Sequence, residues 1–221
     1  MAESNYQPAD RRPIAARETR WANRTADWLA RRGASANFIS VLGLLAGCAA
    51  GACLAATNQL DDWPQRAAWL VGALCVQLRL VANLLDGMVA LASGQASRIG
   101  ELFNDVPDRF ADAAICIGLG YSAGGRPDLG YLAACAALLT AYVRVLGKAA
   151  GAGSDFSGPM AKQQRMFLVT VTGVFLGLTP TDWQTAVPLP ALVLGVIAVG
   201  SLLTALRRLL RIGRTLQSTG S

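Results

Sequence analysis

The feature that most limits what this chain can fold into is a series of apolar runs long enough to cross a bilayer, such as 36–57 and 186–206. A hydrocarbon core of about 30 Å needs about 20 helical residues to span it. Lipid offers no partner for backbone N–H and C=O groups, so such runs predict helices rather than open strands. Six spans are expected, at 36–57, 67–91, 109–124, 129–150, 164–180 and 186–206. Turn residues fill the short connections, among them Asp61-Asp62-Trp63-Pro64, Gly124-Gly125-Arg126-Pro127 and Thr179-Pro180-Thr181-Asp182. Only 15% of the residues are charged and 53% are hydrophobic, which excludes an ordinary soluble domain. The expected class is all-α: a polytopic membrane protein of six transmembrane helices plus an N-terminal amphipathic interfacial helix.

Residues 1–13 are polar, with Pro8 and Pro13, and are expected to be disordered. From 14 to 33, Ala15, Trp21, Trp28 and Leu29 alternate with Arg17, Arg20, Arg24, Arg31 and Arg32 in the pattern of a helix lying in the membrane interface. The six-helix domain is expected over 36–206 and a basic tail over 207–221. The first apolar run reads as a retained span, because the seven arginines before it exceed what a signal peptide carries. Lys and Arg gather in the N-terminal arm, the 92–109 connection, the 144–165 region and the tail, whereas the other side has only Arg66 and Arg126. Positive loops stay inside, so both termini and any site beside them are expected on the cytoplasmic side of a bacterial inner membrane. The partners expected at this stage are membrane lipids, not nucleic acid.

The five cysteines lie inside apolar runs with no metal-ligand spacing and read as small core residues. With no histidine, Ser-His and Cys-His catalysis and His-ligated zinc are excluded. No repeat or broken-helix pair suggests a transporter.

Chemistry concentrates between Asn83 and Asp112, where acidic side chains sit at the ends of apolar helices. Asn83 and Asp86 are three residues apart and share a helical face. Glu101, Asn104, Asp105, Asp108 and Asp112 follow a helical stripe, and hard oxygen ligands on two neighbouring helices suit Mg²⁺, Mn²⁺ or Ca²⁺. Two alternatives stand beside a metal site: a hydrated acidic loop balancing Arg98 and Arg109, and a stripe interrupted by Pro107. Arg79 and Gln77 fall inside the second span, and no acidic partner for Arg79 is evident from the sequence.

Asp86, Gly87, Ala90, Gly100 and Asp108 fall in the register of the CDP-alcohol phosphotransferase signature, D-x2-D-G-x2-A-R-x8-G-x3-D-x3-D, and the chain resembles that family. Asn83, Leu91 and Asn104 depart from it, replacing an aspartate, an arginine and an aspartate. Asn37 to Ser40 is similar to the opening of the family's first span, and Tyr142-Val143-Arg144 and Gly158 to Arg165 to its later motifs. The resemblance implies transfer of a phosphoalcohol group from a CDP-alcohol, commonly CDP-diacylglycerol, to an acceptor hydroxyl with release of CMP. It implies Mg²⁺ or Mn²⁺ at Asn83, Asp86, Asn104 and Asp108, with Asp108 also the base. Nucleotide contacts are implied at Gly87, Ala90, Ser97 and Gly100, and a homodimer is implied as well. The cations Arg144, Lys162 and Arg165 are expected to hold a phosphate- or carboxylate-bearing acceptor. Because the two Asn replacements remove two negative charges, a catalytically silent relative that binds nucleotide-lipid or a partner protein is the alternative reading.

Overall fold

A computed structural model describes residues 17, 19–94, 98–180 and 188–219, and residues 1–13, expected to be disordered, and Ser97, expected at the nucleotide, lie outside them. The described residues form seven α-helices: α1 (Arg20–Arg31), α2 (Ala36–Ala56), α3 (Asp62–Ala92), α4 (Arg98–Gly120), α5 (Pro127–Ala149), α6 (Lys162–Leu178) and α7 (Leu189–Thr219). Local chemistry sets several ends. Ser35 Oγ accepts the Phe38 amide at 3.4 Å to cap α2, and Pro127 opens α5 at a position that needs no N–H donor. Gly33, at φ 75°, reverses the chain after α1, with the Ala34 amide returning to Leu29 O at 3.0 Å.

Helices α2, α3, α5 and α7 are long and apolar enough to cross a membrane, over Ala36–Gln59, Asp62–Ala92, Pro127–Ala149 and Leu189–Ser218. Outside that set, α4 carries charges along one face and α6 has 17 residues. Leu45, Leu74, Phe110, Phe167 and Val199 are exposed around the bundle, as a surface facing lipid requires. The interior is lined largely by Ala, Gly and Thr.

Small residues let α2 and α4 approach closely. A Cβ at Gly47 would come within 2.5 Å of Ala111 Cβ, and one at Gly51 within 2.4 Å of Ala114 O. This contact turns the polar stripe of α4 inward, toward α3 and α6. At the opposite end of the bundle, Arg66 on α3 donates to Gly177 O at 3.1 Å and Leu178 O at 2.8 Å, satisfying the last carbonyls of α6.

Three element boundaries differ from expectation. The third span, expected from residue 109, belongs to a helix that begins at Arg98 and passes through Pro107. Its apolar residues Leu102, Phe103, Val106 and Phe110 face outward while Asp108 and Asp112 face in, so the charges that lower its hydropathy lie on the inner face. The segment after 206, expected as a tail, continues α7 to Thr219. In the arm, α1 begins at Arg20, with Ala22 buried, Ala26 clustered with Leu85 and Val89 of α3, and Trp21 and Trp28 about half exposed.

Candidate functional site

Helices α3 and α4 each bring two of the signature positions to the same end of the bundle. From α3, Asn83 and Asp86 project together, and from α4, Asn104 and Asp108 face them one turn apart. The Asn83 amide nitrogen donates to Asn104 Oδ1 at 3.1 Å and to Asp108 Oδ2 at 3.0 Å. The Asn104 amide nitrogen donates to Asp86 Oδ1 at 2.9 Å. Ser40, near the start of α2, donates to Asp86 Oδ2 at 2.8 Å, and the Gly87 amide contacts Asp86 Oδ1. A cation closes the cluster: Lys162 Nζ, at the first residue of α6, lies 2.5 Å from both Asn83 Oδ1 and Asp108 Oδ2.

The placement of Lys162 has a conformational origin in the turn before α6. Gly158 has φ 138°, and a Cβ there would lie 2.3 Å from Thr204 Cγ2 on α7, so this position demands glycine. The Met160 amide donates to Thr204 Oγ1 at 3.0 Å, and Arg208 donates to Ser157 O and Thr140 O at 2.9 Å each. These bonds pin the 157–161 segment between α5 and α7 and deliver Lys162 to the cluster. In the same loop, Asp155 is held below the usual carboxylate range. Burial works to raise it, but the Ser157 hydroxyl and amide, followed by Arg211 and Arg208, outweigh that effect.

A second ionic layer lies one turn deeper. Arg79 contacts Asp108 at 3.2 Å and Asp112 at 2.5 Å, and Arg165 contacts Asp112 at 3.2 Å. Arg79, Asp112 and Arg165 are almost fully buried, at 1%, 3% and 2% side-chain exposure, whereas Lys162 and Asp108 keep 11% and 14%. Across both layers the three carboxylates Asp86, Asp108 and Asp112 balance the three cations Arg79, Lys162 and Arg165 in number, with Asp108 and Asp112 each meeting two cations and Asp86 accepting from Ser40 and Asn104.

Of the three expected acceptor cations, the structure brings Lys162 alone into the signature cluster. Arg165 sits in the deeper layer, donating also to Met160 O at 3.0 Å, and Arg144 lies outside, 2.8 Å from Asp105, which it shares with Arg109. A Cβ at Gly87 would meet Arg17 Nη2 in ordinary contact, at 3.8 Å. Ala90 is partly exposed one turn further on, and Gly100 is partly buried near the start of α4. The side chain of Glu101 is outside the described set. Sequence reasoning put Asp112 on the acidic stripe without a partner and did not assign Arg79 or Ser40 to the site. The mid-span arginine carried a signal, because a buried arginine in an apolar helix requires an acidic partner.

The fit to divalent cations is poor. Among the described residues no group of three or more acidic, cysteine or histidine side chains is placed to hold a metal ion. Both Asp108 oxygens already face nitrogen donors, and the amide groups of Asn83 and Asn104 are turned toward carboxylates. Two dications would bring four positive charges to a cluster whose own charges already balance, and would have to displace Lys162.

No protein-family profile matches the chain. It is 29% identical over 195 residues to a phosphatidylinositol phosphate synthase of Streptomyces avermitilis, covering 86% of this chain and 76% of that protein. The corresponding synthase of Mycobacteroides abscessus is 28% identical over 205 residues, covering 89% and 86%. Among solved structures, the Mycobacterium tuberculosis phosphatidylinositol phosphate synthase with CDP-DAG bound superposes with a TM-score of 0.69 at 20% identity, over 88% of this chain and 94% of that one. The same enzyme in complex with manganese and citrate gives a TM-score of 0.68 at 21% identity, over 87% and 88%. The structural likeness shows a shared fold. The sequence relatives and the signature register between Asp86 and Asp108 make this integral membrane protein similar to the CDP-alcohol phosphotransferases.

Proposed function

We propose that this chain takes a CDP-lipid, CDP-diacylglycerol above all, at the mouth formed by α3, α4 and α6, and transfers its phosphoalcohol group to an acceptor hydroxyl. The observation that carries this reading is the convergence of Asn83, Asp86, Asn104 and Asp108 with Lys162 at one end of the bundle. In the reaction, the acceptor oxygen forms a bond to the lipid-side phosphorus as the bond from that phosphorus to the CMP oxygen breaks. Asp108 takes the hydroxyl proton, and CMP leaves. Gly87, with no side chain, lets the backbone of α3 approach the nucleotide, and the family signature adds nucleotide contacts at Ala90, Ser97 and Gly100.

The acceptor is a phosphorylated polyol, in keeping with relatives that are phosphatidylinositol phosphate synthases. The more open Arg144 suits its phosphate, while Lys162 faces Asp108 at the mouth and Arg165 acts from beneath, through Asp112. The family expectation of Mg²⁺ or Mn²⁺ rests on the manganese complex of the mycobacterial enzyme. The α1 helix rests in the interface with its tryptophans outward, the termini and the site face the cytoplasm, and two chains pair as a homodimer.

A second reading, a silent relative that binds nucleotide-lipid without turnover, is favoured by the hydrogen bonds already made to Asp86 and Asp108. CMP release from CDP-diacylglycerol by purified protein, across phosphorylated and plain polyols, separates the two. Release that depends on a phosphorylated acceptor supports transfer, whereas saturable CDP-lipid binding with no CMP under any condition supports the silent reading.

A further inference from the structure

The two asparagines and Lys162 make sense together if the site carries its own cation. Asn83 presents its carbonyl to Lys162 and its amide nitrogen to Asn104 Oδ1 and Asp108 Oδ2, so it acts as acceptor and donor at once. An ionised aspartate in its place would set a carboxylate oxygen about where the amide nitrogen now sits, 3.0 Å from Asp108 Oδ2, and would have nothing to donate. The same holds at Asn104, whose amide nitrogen lies 2.9 Å from Asp86 Oδ1. Aspartates at these positions would repel their neighbours unless a cation bridged them. Asparagines remove that need.

Lys162 itself is oddly placed for an ordinary helix residue. It starts α6, whose first turn has no acidic residue and whose dipole disfavours a cation there. Its charge is instead matched by Asp108, and its Nζ occupies the space between the α3 and α4 side chains. An ammonium has three N–H donors. Two are directed to Asn83 Oδ1 and Asp108 Oδ2, which leaves one for a ligand, and the residue keeps 11% of its side chain exposed at the mouth.

We infer that Lys162 replaces a resident divalent cation, so that this site binds the pyrophosphate of a nucleoside diphosphate lipid through an internal ammonium without a metal. The inference rests on the proposed function for the identity of the ligand, but its statement about metal does not. Purified protein in nanodiscs, titrated with Mn²⁺ and followed by the paramagnetic resonance of the free ion, tests the metal half directly. The wild type leaves Mn²⁺ free at concentrations that saturate the Asn83→Asp/Asn104→Asp/Lys162→Met variant. Stoichiometric Mn²⁺ uptake by the wild type, unchanged in Lys162→Met, overturns the inference without need of the triple variant. The ligand half is read with CDP as probe in excess EDTA: wild-type binding persists, and Lys162→Met weakens it about tenfold, the effect of one charged hydrogen bond. CDP binding that requires added Mg²⁺ or Mn²⁺ also overturns it. If Mn²⁺ stays free in the wild type and is taken up by the triple variant, while neither CDP nor CDP-diacylglycerol binds under any condition, the lysine-for-metal replacement stands and the proposed function fails.

Discussion

Two carboxylates one turn apart on α4 meet similar partners and are put to different uses. Asp112 lies between Arg79 and Arg165 at 3% exposure, and all three side chains are sealed inside the bundle. Asp108 lies between Arg79 and Lys162 at 14% exposure, and it also takes the amide of Asn83. The deeper set is held by two guanidiniums, which cannot lose a proton and whose fixed forks order the helices around them. The shallower set shares Arg79 and adds an ammonium and a carboxamide, whose hydrogen bonds a ligand can replace. Charge in a membrane interior is expensive wherever it sits. Depth and partner type separate the set that holds the fold from the set available for chemistry.

The largest expected effect belongs to the deeper layer. Arg165→Ala leaves Asp112 buried with half its pairing removed, a loss of about 3–5 kcal/mol, seen as a large fall in Tm in detergent. If Arg165 instead served only as an acceptor contact, the Tm would hold and the acceptor KM alone would rise. Next comes the turn that delivers Lys162. Gly158→Ala must abandon φ 138° or push Thr204 aside, a strain of about 1–3 kcal/mol, with weakened CDP binding as its second signature. Arg144→Ala should change stability by about 0–1 kcal/mol, because its pair with Asp105 is partly solvated. Its measurable effect is a raised KM for a phosphorylated acceptor, with CDP-lipid binding intact. The smallest effect is one of pH. Asp155 has a lowered folded-state pKa, so its contribution to stability is fully present above the unfolded value of about 3.9 and disappears as pH falls through the folded one. Asp155→Asn should therefore remove part of the acid sensitivity of Tm and leave neutral-pH activity alone.

Much of this arrangement was legible in the sequence, for physical reasons that also explain the omissions. Apolar runs that must satisfy their own backbone announced α2, α3, α5 and α7, and the signature register put Asn83, Asp86, Asn104 and Asp108 on facing helices. The first half of α4 was legible as a helical stripe but not as part of the third span, because Asp105, Asp108 and Arg109 lower its hydropathy while Leu102, Phe103 and Val106 supply an outward apolar face. Hydropathy averages over the helix and loses the distinction between faces. The partners of Arg79 were out of reach because Asp108 and Asp112 are distant in sequence and meet it only through the α2–α4 crossing at Gly47 and Gly51. The three cations Arg144, Lys162 and Arg165 looked equivalent by spacing. Which carboxylate each one meets depends on the Gly158 turn and on Thr204 of α7, a tertiary contact that no local pattern encodes.

The most direct test of the contrast between the two layers is CMP release from CDP-diacylglycerol by Asp108→Asn, compared with wild type at equal folded fraction. The account predicts a near-normal fold, because the carboxamide keeps the shape of the cluster, together with a loss of turnover of about 10²–10⁴-fold, the scale of a removed general base. Turnover equal to wild type would contradict it and would leave Asp108, like Asp112, as part of the framework.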